Sequence, residues 1–272
     1  MVHEFQYRAP RTRPELLSLL AEHGASARIL AGGTDLLPNM RMGIAKPTYV
    51  IDCKRLPNAG RLAFSPTEGL VIGHGVTVAA ILQDPEVRER YPLLAEAGRQ
   101  LASHQVRNRA TVAGNVVNAS PCSDMALPLL CLYASAVLVS AKSERIVGFR
   151  EFFTGPKSTV LRSDEFLAEI RVPAASVGLK GRYAKLKRIR GHDLGIVGVL
   201  LARAQDGLRA AVSSAAPTPV LVTGIGFSLD AESVEGLVQK AIQPIDDVRC
   251  TAEYRRYMVG AFLRRLLPEV SR

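Results

Sequence analysis

The sequence predicts an α+β chain of three successive units, and three observations lead to this prediction. Strand-like and helix-like segments alternate up to a turn at residues 56–60. A second alternating stretch ends in a strand before Pro173, and small, mixed residues follow at 174–180. Three strand-like segments with short turns then indicate an antiparallel sheet followed by helices. The predicted units are therefore residues 1–57, 58–175 and 176–272.

Capping residues locate the helices of these units. Thr12 and Pro14 predict a helix that closes at Gly24, and Thr77 is placed to cap a later one. In the third unit, Asp230 and Thr251 predict two final helices. The i, i+3, i+4 spacing in the last helix predicts a buried face made of Tyr254, Tyr257, Met258, Ala261, Phe262 and Leu266. The opposite face is predicted to be solvated and consists of Arg255, Arg256, Arg264 and Arg265.

Composition excludes several classes of protein. The 272 residues are 47% hydrophobic, which excludes a disordered chain, and 35 Lys+Arg against 25 Asp+Glu give a net charge of +10. The longest apolar stretch, residues 126–141, contains Pro128 and is shorter than the ~20 residues that a membrane-spanning helix needs. The N-terminal residues show no signal-peptide pattern. We therefore expect a cytoplasmic protein without integral membrane contact.

The sequence gives no support for a metal site or a catalytic nucleophile. The four cysteines lie far apart with no C-x-x-C pair, and the five histidines lack H-x-x-x-H or H-E-x-x-H spacing. We expect no metal ligand and no catalytic residue in this chain. Any redox or metal chemistry must therefore come from a bound cofactor or another polypeptide.

Two loops rich in small residues are candidates for binding a phosphorylated ligand. Residues 29–36 place Gly32 and Gly33 between a strand and a helix start, where backbone N–H groups can hold a phosphate. The alternative is a β-turn with an ordinary Thr34 helix cap. Residues 111–124 carry one charge and many hydrogen-bonding side chains suited to a dinucleotide. There the alternative is that Ser123 or Asp124 simply caps the next helix.

The remaining glycine motifs and the basic run are weaker evidence for a binding site than the two loops. Neither Gly73-His-Gly75 nor Gly224-Ile-Gly226 has the third glycine of G-x-G-x-x-G, and the segment 155–158 is not a P-loop. The basic run 185–190 is compatible with phosphate tracking, an acidic partner or a solvated surface. A nucleic-acid module is disfavoured because the chain has no Trp and its basic run has no interleaved aromatic residues.

At the two loops the sequence resembles the FAD-binding medium subunit of the molybdenum hydroxylases, which include carbon monoxide and xanthine dehydrogenases and hydroxybenzoyl-CoA reductases. The similarity lies in these segments, taken in order: Ala31-Gly-Gly-Thr-Asp-Leu36, Gln105-Val-Arg-Asn108, Thr111-Val-Ala-Gly-Asn115, Ala119-Ser-Pro-Cys-Ser-Asp124, Phe153-Thr-Gly-Pro-Lys-Ser-Thr-Val-Leu161, and Tyr183-Ala-Lys185 ahead of Asp193. One departure is Ala113, where the family commonly has a glycine. The chain also lacks the cysteine-bearing insertion of the hydroxybenzoyl-CoA reductases.

The resemblance implies a vanillyl-alcohol-oxidase-like (PCMH-type) FAD-binding domain made of two α+β subdomains, residues 1–57 and 58–175. Residues 176–272 would form the family's C-terminal domain, a three-stranded antiparallel sheet with helices. The pyrophosphate would lie between the two glycine-containing loops, with Asp124 on the flavin's sugar-alcohol chain and Lys185 near the flavin. The cofactor-binding residues implied are Ile29, Leu30, Ala31, Gly32, Gly33, Thr34, Asp35, Leu36, Leu101, Thr111, Gly114, Asn115, Ser120, Asp124, Leu161 and Lys185.

The function implied is that of an electron-transfer subunit. It would bind FAD and relay electrons between a partner's [2Fe–2S] clusters and an external acceptor. A small iron–sulfur subunit and a large molybdopterin subunit would be its partners, in a dimer of heterotrimers, with substrate chemistry on the large subunit. The alternatives are a stand-alone FAD-dependent oxidoreductase and a basic module that binds nucleic acid or an acidic partner.

Overall fold

The structure, a computed structural model, describes residues 3–189 and 193–270. The strands are β1 (Gln6–Arg8), β2 (Ala27–Leu30), β3 (Tyr49–Asp52), β4 (Leu62–Ser65), β5 (Gly69–Gly73), β6 (Ser135–Val139), β7 (Glu144–Gly148), β8 (Phe153–Gly155), β9 (Ser158–Thr159), β10 (Phe166–Val172), β11 (Lys180–Leu186), β12 (Val197–Ala204), β13 (Gly207–Ser213) and β14 (Val220–Ile225). The helices are α1 (Arg13–His23), α2 (Leu36–Arg41), α3 (Val78–Gln83), α4 (Pro85–Arg90), α5 (Pro92–Gln100), α6 (His104–Arg107), α7 (Val112–Val117), α8 (Ala126–Cys131), α9 (Phe149–Phe152), α10 (Ala231–Ala241) and α11 (Ala252–Val270).

The first sheet is parallel, with strand order β1-β3-β2. Helix α1 connects β1 to β2 and buries Leu16 and Leu20 in a core that also contains Ile51 of β3. Its N-cap is Thr12, whose side chain accepts a hydrogen bond from the Glu15 N–H, as the sequence predicted. Since β2 pairs with β3 as far as Leu30, this sheet fixes where the first glycine loop begins.

The second sheet is antiparallel and five-stranded, with order β4-β5-β10-β6-β7. Between β5 and β6 the chain forms helices α3 to α8, which supply much of the largest hydrophobic core. An isolated β-bridge joins Thr77 to Thr111. This bridge places the start of the second predicted loop beside the cap of α3, which Thr77 forms as predicted.

The third sheet is antiparallel with order β11-β12-β13-β14, so it has four strands where the sequence predicted three. The missed strand is β14, whose first five residues are only partly buried or exposed. It follows a segment containing Pro217 and Pro219, and its pairing with β13 shifts in register. Because it is a partly exposed edge strand beside turn-forming residues, it lacks the alternation that predicts a strand.

The last helix buries part of the predicted face, since Phe262 and Leu266 are buried as predicted, but the face is rotated towards Arg255. Tyr254 and Tyr257 are 43% and 62% exposed, whereas Arg255 is 1% exposed. The buried face consists of Arg255, Val259, Gly260, Phe262, Leu263, Leu266 and Val270. Hydropathy misjudged this face because Arg255 is paired inside the protein, with the Ser214 carbonyl and the Asp247 carboxylate.

The hydrophobic cores extend across the three sheets. The core under α1 also contains Val137 and Phe166 of the second sheet, and the largest core also contains Tyr183 and Leu200 of the third. The α+β class is confirmed, while the boundaries at residues 57 and 175 stay a prediction. None of the described helices is both long enough and apolar enough to cross a membrane.

Candidate functional site

The first glycine loop presents a row of unpaired backbone donors. The Cys53 N–H donates to the Leu30 carbonyl at 3.2 Å, which holds the end of β2 just before the loop. In the part of the chain that the structure describes, the N–H groups of residues 32–35 donate to no protein acceptor. Gly33 has φ +75°, a conformation that glycine adopts without strain. Helix α2 begins at Leu36 with Asp35 as N-cap and no side-chain cap bond, so the alternative of an ordinary Thr34 cap is wrong.

Gly32 brings the first loop into direct backbone contact with Arg109 and Ala110, which immediately precede the second loop. A Cβ atom at this position would lie 2.0 Å from the Arg109 carbonyl oxygen and 3.1 Å from the Ala110 Cα. No side chain fits at that distance, so glycine is required for the loops to approach. The space beside Gly32 is thus filled by protein backbone, and the free donors of the loop lie next to the segment that leads into Thr111.

The second loop is held by its own side chains. Thr111 is the N-cap of α7, and its Oγ1 accepts from the Gly114 N–H at 2.9 Å. The Asn115 Oδ1 accepts from Ser123 Oγ at 2.6 Å and from the Met125 N–H at 3.3 Å. These bonds fasten the first turn of α7 to the segment that carries Asp124, so the two ends of the loop are one structural unit.

Asp124 lies at the centre of a buried polar group. The Tyr183 hydroxyl donates to its Oδ1 at 2.7 Å, and the Lys185 ammonium donates to its Oδ2 at 2.8 Å. The Lys185 side chain is only 3% exposed and also donates to the Gln100 carbonyl at 3.2 Å. Burial raises the pKa of Asp124, opposed by Lys185 and Tyr183, and burial beside this carboxylate raises the pKa of Tyr183 well above its ordinary value.

These contacts decide whether Ser123 or Asp124 caps the helix that follows the second loop. Asp124 caps no helix, because both of its carboxylate oxygens are bound by β11 side chains. Ser123 does serve the helix start, since its Oγ accepts from the Ala126 N–H at 3.3 Å. Ser120 forms a local turn by accepting from the Cys122 N–H at 3.2 Å.

Leu101 follows the end of α5 at a bend that Arg107 fastens. The Arg107 Nη1 donates to the Leu101 carbonyl at 2.7 Å and to the Ala102 carbonyl at 3.2 Å. Because Lys185 binds the neighbouring Gln100 carbonyl, this bend belongs to the same cluster as Asp124. The Gln105-Val-Arg-Asn108 segment therefore acts on the site through Arg107.

Leu161 follows the hairpin formed by β8 and β9. The turn of this hairpin forms hydrogen bonds with the second loop. The Lys157 N–H donates to the Ala119 carbonyl at 2.9 Å, and its ammonium donates to Asn118 Oδ1 at 2.9 Å. Leu161 is partly buried and packs against the largest core. The structure thus connects Leu161 to the same neighbourhood as Ala119 and Ser120.

Several strained residues surround this neighbourhood, and the sequence did not reveal them. Ala102, Ala119, Lys157 and Ser214 all have φ between +42° and +63°. Such conformations cost on the order of 1 kcal/mol each for residues other than glycine and concentrate at functional sites. A sequence pattern cannot show them, because these residue types usually adopt negative φ.

The sixteen residues implied by the resemblance lie on the segments described above, and their role in binding a cofactor stays a prediction. Ile29 and Leu30 end β2, Ala31 to Asp35 form the first loop, and the others lie on the elements described above. Tyr183 was not assigned a role from the sequence, although strand alternation places it on the same face as Lys185. Arg190, the last residue of the basic run, and His192, one of the five histidines, lie outside the described residues.

Within residues 3–189 and 193–270 no three metal-ligating side chains approach one another closely enough to hold an ion. The four cysteines are free, and burial raises the pKa of the Cys53 and Cys131 thiols to about 12.

In its described part, the basic run is not an open basic surface. Lys185, its first residue, is buried against Asp124 and is unavailable to a nucleic acid. Arg188 pairs with Asp193 at 3.5 Å.

Comparison with known proteins agrees with the fold and identifies the family. A family model described as the FAD binding domain in molybdopterin dehydrogenase matches residues 3–175. The carbon monoxide dehydrogenase medium chain of Hydrogenophaga pseudoflava is 33% identical, over 97% of this chain and 96% of its own length. The glyceraldehyde dehydrogenase medium chain of Sulfolobus acidocaldarius is 31% identical, over 98% and 99% of the two chains.

The solved structures give the same result. A chain of carbon monoxide dehydrogenase from Hydrogenophaga pseudoflava, solved without the Mo-pyranopterin moiety of its cofactor, superposes with a TM-score of 0.92. It is 31% identical, and the match covers 99% of this chain and 98% of that one. The fold is thus the α+β, PCMH-type fold of FAD-binding oxidoreductase subunits. The chain belongs to the family of FAD-binding medium subunits of the molybdenum hydroxylases.

Proposed function

We propose that this chain binds one FAD and relays electrons between a partner's [2Fe–2S] clusters and an external acceptor. Residues 1–57 and 58–175 would be the two FAD-binding subdomains, and residues 176–272 the C-terminal domain. A small iron–sulfur subunit and a large molybdopterin subunit would complete the enzyme, as a dimer of heterotrimers in the cytoplasm. FAD, when bound, supplies the redox chemistry, because a flavin can take up electrons singly and release them in pairs.

The observation that carries this proposal is the row of unpaired N–H groups at residues 32–35. Residues 32–34 are partly buried, whereas Asp35 is exposed. Partly buried backbone donors without protein partners are uncommon, and a diphosphate supplies acceptor oxygens for several at once. Helix α2 is only six residues long, so the individual N–H groups matter more than a helix dipole. The residues therefore fit the pyrophosphate of FAD.

The remaining residues would act from the opposite side and along the cofactor. Thr111, Gly114 and Asn115 would face the phosphates. The Asn115 Nδ2 is available, because among the described residues only its Oδ1 has hydrogen-bond partners. Asp124 would accept from the sugar-alcohol chain, and Lys185 would lie near the flavin. Leu101 and Leu161 would contact the cofactor by apolar surface. No residue of the chain acts as a nucleophile or metal ligand in this proposal.

Equilibrium titration of the purified full-length chain with FAD and FMN tests the cofactor assignment. FMN has one phosphate and no pyrophosphate, so we expect it to bind about 100-fold more weakly than FAD, equivalent to about 2.7 kcal/mol. A flavin absorption spectrum at one FAD per chain supports the proposal. A colourless chain, or equal affinity for the two flavins, contradicts it.

Purification from native cells tests the relay and the partners. We expect the chain to copurify with two other polypeptides, and the fraction to contain iron and molybdenum. If the chain runs alone as an FAD protein without either metal, it is a stand-alone oxidoreductase. Salt-sensitive DNA binding by a flavin-free chain would favour the basic module.

The two relatives named above are medium chains of a carbon monoxide dehydrogenase and a glyceraldehyde dehydrogenase. Similar medium chains thus occur in enzymes with different substrates. We propose that the substrate pocket lies on the large partner, so this chain sets the electron path and not the choice of substrate.

A further inference from the structure

The segment between α10 and α11 contains a charged cluster centred on Asp247. The Arg249 guanidinium donates to its Oδ2 through Nε at 3.0 Å and Nη2 at 2.6 Å. Arg255 Nη2 lies 2.6 Å from its Oδ1. Burial opposes ionisation of Asp247, but the donors outweigh it and hold its pKa well below the usual range. The carboxylate is therefore charged at neutral pH, orients the Arg249 guanidinium by two hydrogen bonds and lies within ion-pair distance of Arg255.

The Arg249 Nη1, which does not contact Asp247, lies beside the candidate cofactor site. Its Nη1 lies 3.0 Å from the Cys122 Sγ and 3.1 Å from the Gly195 carbonyl oxygen. Cys122 precedes Asp124 by two residues in the second loop. A side chain from the C-terminal unit thus holds the loop that carries the central carboxylate of the site.

Arg255 supports the same loop by a second route. Its Nη1 donates to the Ser214 carbonyl at 2.6 Å, and the Ser214 N–H donates to the Pro121 carbonyl at 2.7 Å. Ser214 has φ +63°, so its backbone is held in a strained conformation while it makes this contact. Pro121 and Cys122 are therefore fastened at adjacent positions by two arginines that share one carboxylate.

The loop itself needs external support. Ala119 has φ +45°, and such strain persists only where the surrounding structure fixes it. Among the described residues, the Cys122 backbone forms one hydrogen bond, from its own N–H to Ser120 Oγ. An error of about 1 Å in the position of a cofactor-binding loop is enough to impair binding or function.

We infer that Arg249, oriented by Asp247, is a positioning residue of the cofactor site that holds residues 121–124 in the geometry that binds FAD. The inference rests on the proposed function and deepens it. It means that the site depends on a residue outside residues 3–175, the part matched by the FAD-binding family model. Arg249 acts through the loop and not by contact with the cofactor.

The test compares two arginine variants of the full-length chain. Arg249→Met removes the guanidinium but keeps an unbranched apolar side chain. Arg256→Met is the matched control, because Arg256 is in the same unit and donates to the Gln239 and Ile242 carbonyls instead of the loop. We expect Arg249→Met to raise the FAD dissociation constant at least about tenfold and Arg256→Met to raise it less than about threefold. Flavin fluorescence titration gives both constants, and thermal unfolding of the apo chains gives the stability of each variant.

Variants at Cys122 test the contact itself. Cys122→Ser keeps a hydrogen-bond acceptor and should retain FAD affinity within about threefold, whereas Cys122→Ala should weaken it. If the two residues act as a pair, the double variant should bind FAD no more weakly than Arg249→Met alone. These readouts separate positioning from general destabilisation, and the Cys122 pair decides the matter if Arg249→Met fails to fold.

The outcomes distinguish this inference from the proposal beneath it. A wild-type chain that binds no FAD rejects the proposed function. A wild-type chain that binds FAD while Arg249→Met or Cys122→Ala binds it equally well overturns the positioning role alone. Equal weakening by Arg249→Met and Arg256→Met at a matched loss of thermal stability also overturns it, since both changes then act through stability.

Discussion

Asp124 belongs both to the proposed cofactor site and to the buried interior of the protein. Its two oxygens are bound by Tyr183 and Lys185, and both partners are themselves buried. A buried ion pair is sensitive to loss of one member, because the other charge then remains in a poorly solvated place. The same carboxylate is proposed to hold the sugar-alcohol chain, so its stability role and its binding role must be separated by experiment.

Replacing Asp124 should destabilise the apo protein strongly. Asp124→Ala leaves the Lys185 ammonium buried without a counter-ion, and we expect a loss of about 3–5 kcal/mol in the free energy of unfolding. The double change Asp124→Leu with Lys185→Met should recover most of that stability but not FAD binding. Urea denaturation measures the first effect and FAD titration the second. Glu269→Ala, which breaks an exposed pair with Arg182, should cost less than about 1 kcal/mol. Wild-type stability in Asp124→Ala would contradict the ion-pair assignment.

Gly32 sets the distance between the first loop and the segment that leads into the second. A Cβ there would lie 2.0 Å from the Arg109 carbonyl, so Gly32→Ala must push the loops apart, at about 1–3 kcal/mol for such overpacking. We expect lower thermal stability together with weaker FAD binding. Gly60→Ala is the matched control, because its Cβ would meet nothing within 4 Å. Unchanged FAD affinity in Gly32→Ala would mean that loop spacing does not matter for the cofactor.

At the scale of elements, an ion pair holds the segment that carries Leu161. Arg145 of β7 donates to the Glu165 carboxylate at 2.7 and 2.8 Å and to the Val160 carbonyl at 2.7 Å. Glu165 also accepts from the Arg162 N–H at 2.8 Å. One buried carboxylate thus closes the turn between β9 and β10.

This pair gives the fold an acid-sensitive contribution to stability. The hydrogen bond from Arg145 is the largest influence and lowers the pKa of Glu165 below its ordinary 4.5. The unfolded chain therefore binds the proton more readily, and stability falls as the pH drops from about 4.5 through the folded-state pKa. We expect the wild type to lose more stability between about pH 5 and 3 than Glu165→Gln, measured by urea unfolding at each pH. Glu68→Gln, at an exposed position, is the control and should lose as much stability between these pH values as the wild type. If Glu165→Gln also loses as much as the wild type, the Arg145–Glu165 pair is not the source of the acid sensitivity.

The elements that the sequence predicted well are those whose signals are local. Thr12, Thr77, Asp230 and Thr251 cap helices as predicted, because a capping bond joins residues only three apart. The errors arise from distant partners. The α11 face was only partly right, because Phe262 and Leu266 are buried but Arg255 is too, paired with Asp247 and Ser214. Strand β14 was missed because its identity depends on pairing with β13.

In the candidate site, too, local features could be predicted from the sequence and contacts between distant residues could not. The glycine loops could be located from composition and resemblance, but not the contact of Gly32 with the Arg109 carbonyl, which joins residues far apart in the chain. The binding of Asp124 by Tyr183 and Lys185 and the reach of Arg249 to Cys122 are also long-range. No periodicity in the sequence encodes such pairs.

At the scale of the whole molecule, the three sheets share their interior. Tyr183 and Leu200 belong to the same core as Leu93 and Leu127, and a Cβ at Gly181 would lie 2.9 Å from the Leu93 side chain. The C-terminal unit therefore covers apolar surface that residues 1–175 cannot bury alone.

A fragment comprising residues 1–175 should consequently fail to fold as an independent unit. We expect it to bind a hydrophobic dye such as ANS and to unfold without a cooperative transition, because part of its core is exposed to water. Differential scanning calorimetry beside the full-length chain measures this. A sharp transition in the fragment would show that the predicted boundary near residue 175 separates independently stable domains.

A structure of the full-length chain determined with FAD bound would show where the diphosphate lies. We expect the two phosphates within hydrogen-bond distance of the N–H groups of residues 32–35, with the second loop on the opposite side and Asp124 beside the sugar-alcohol chain. Density for the diphosphate anywhere else, with those N–H groups bound only to water, would contradict it.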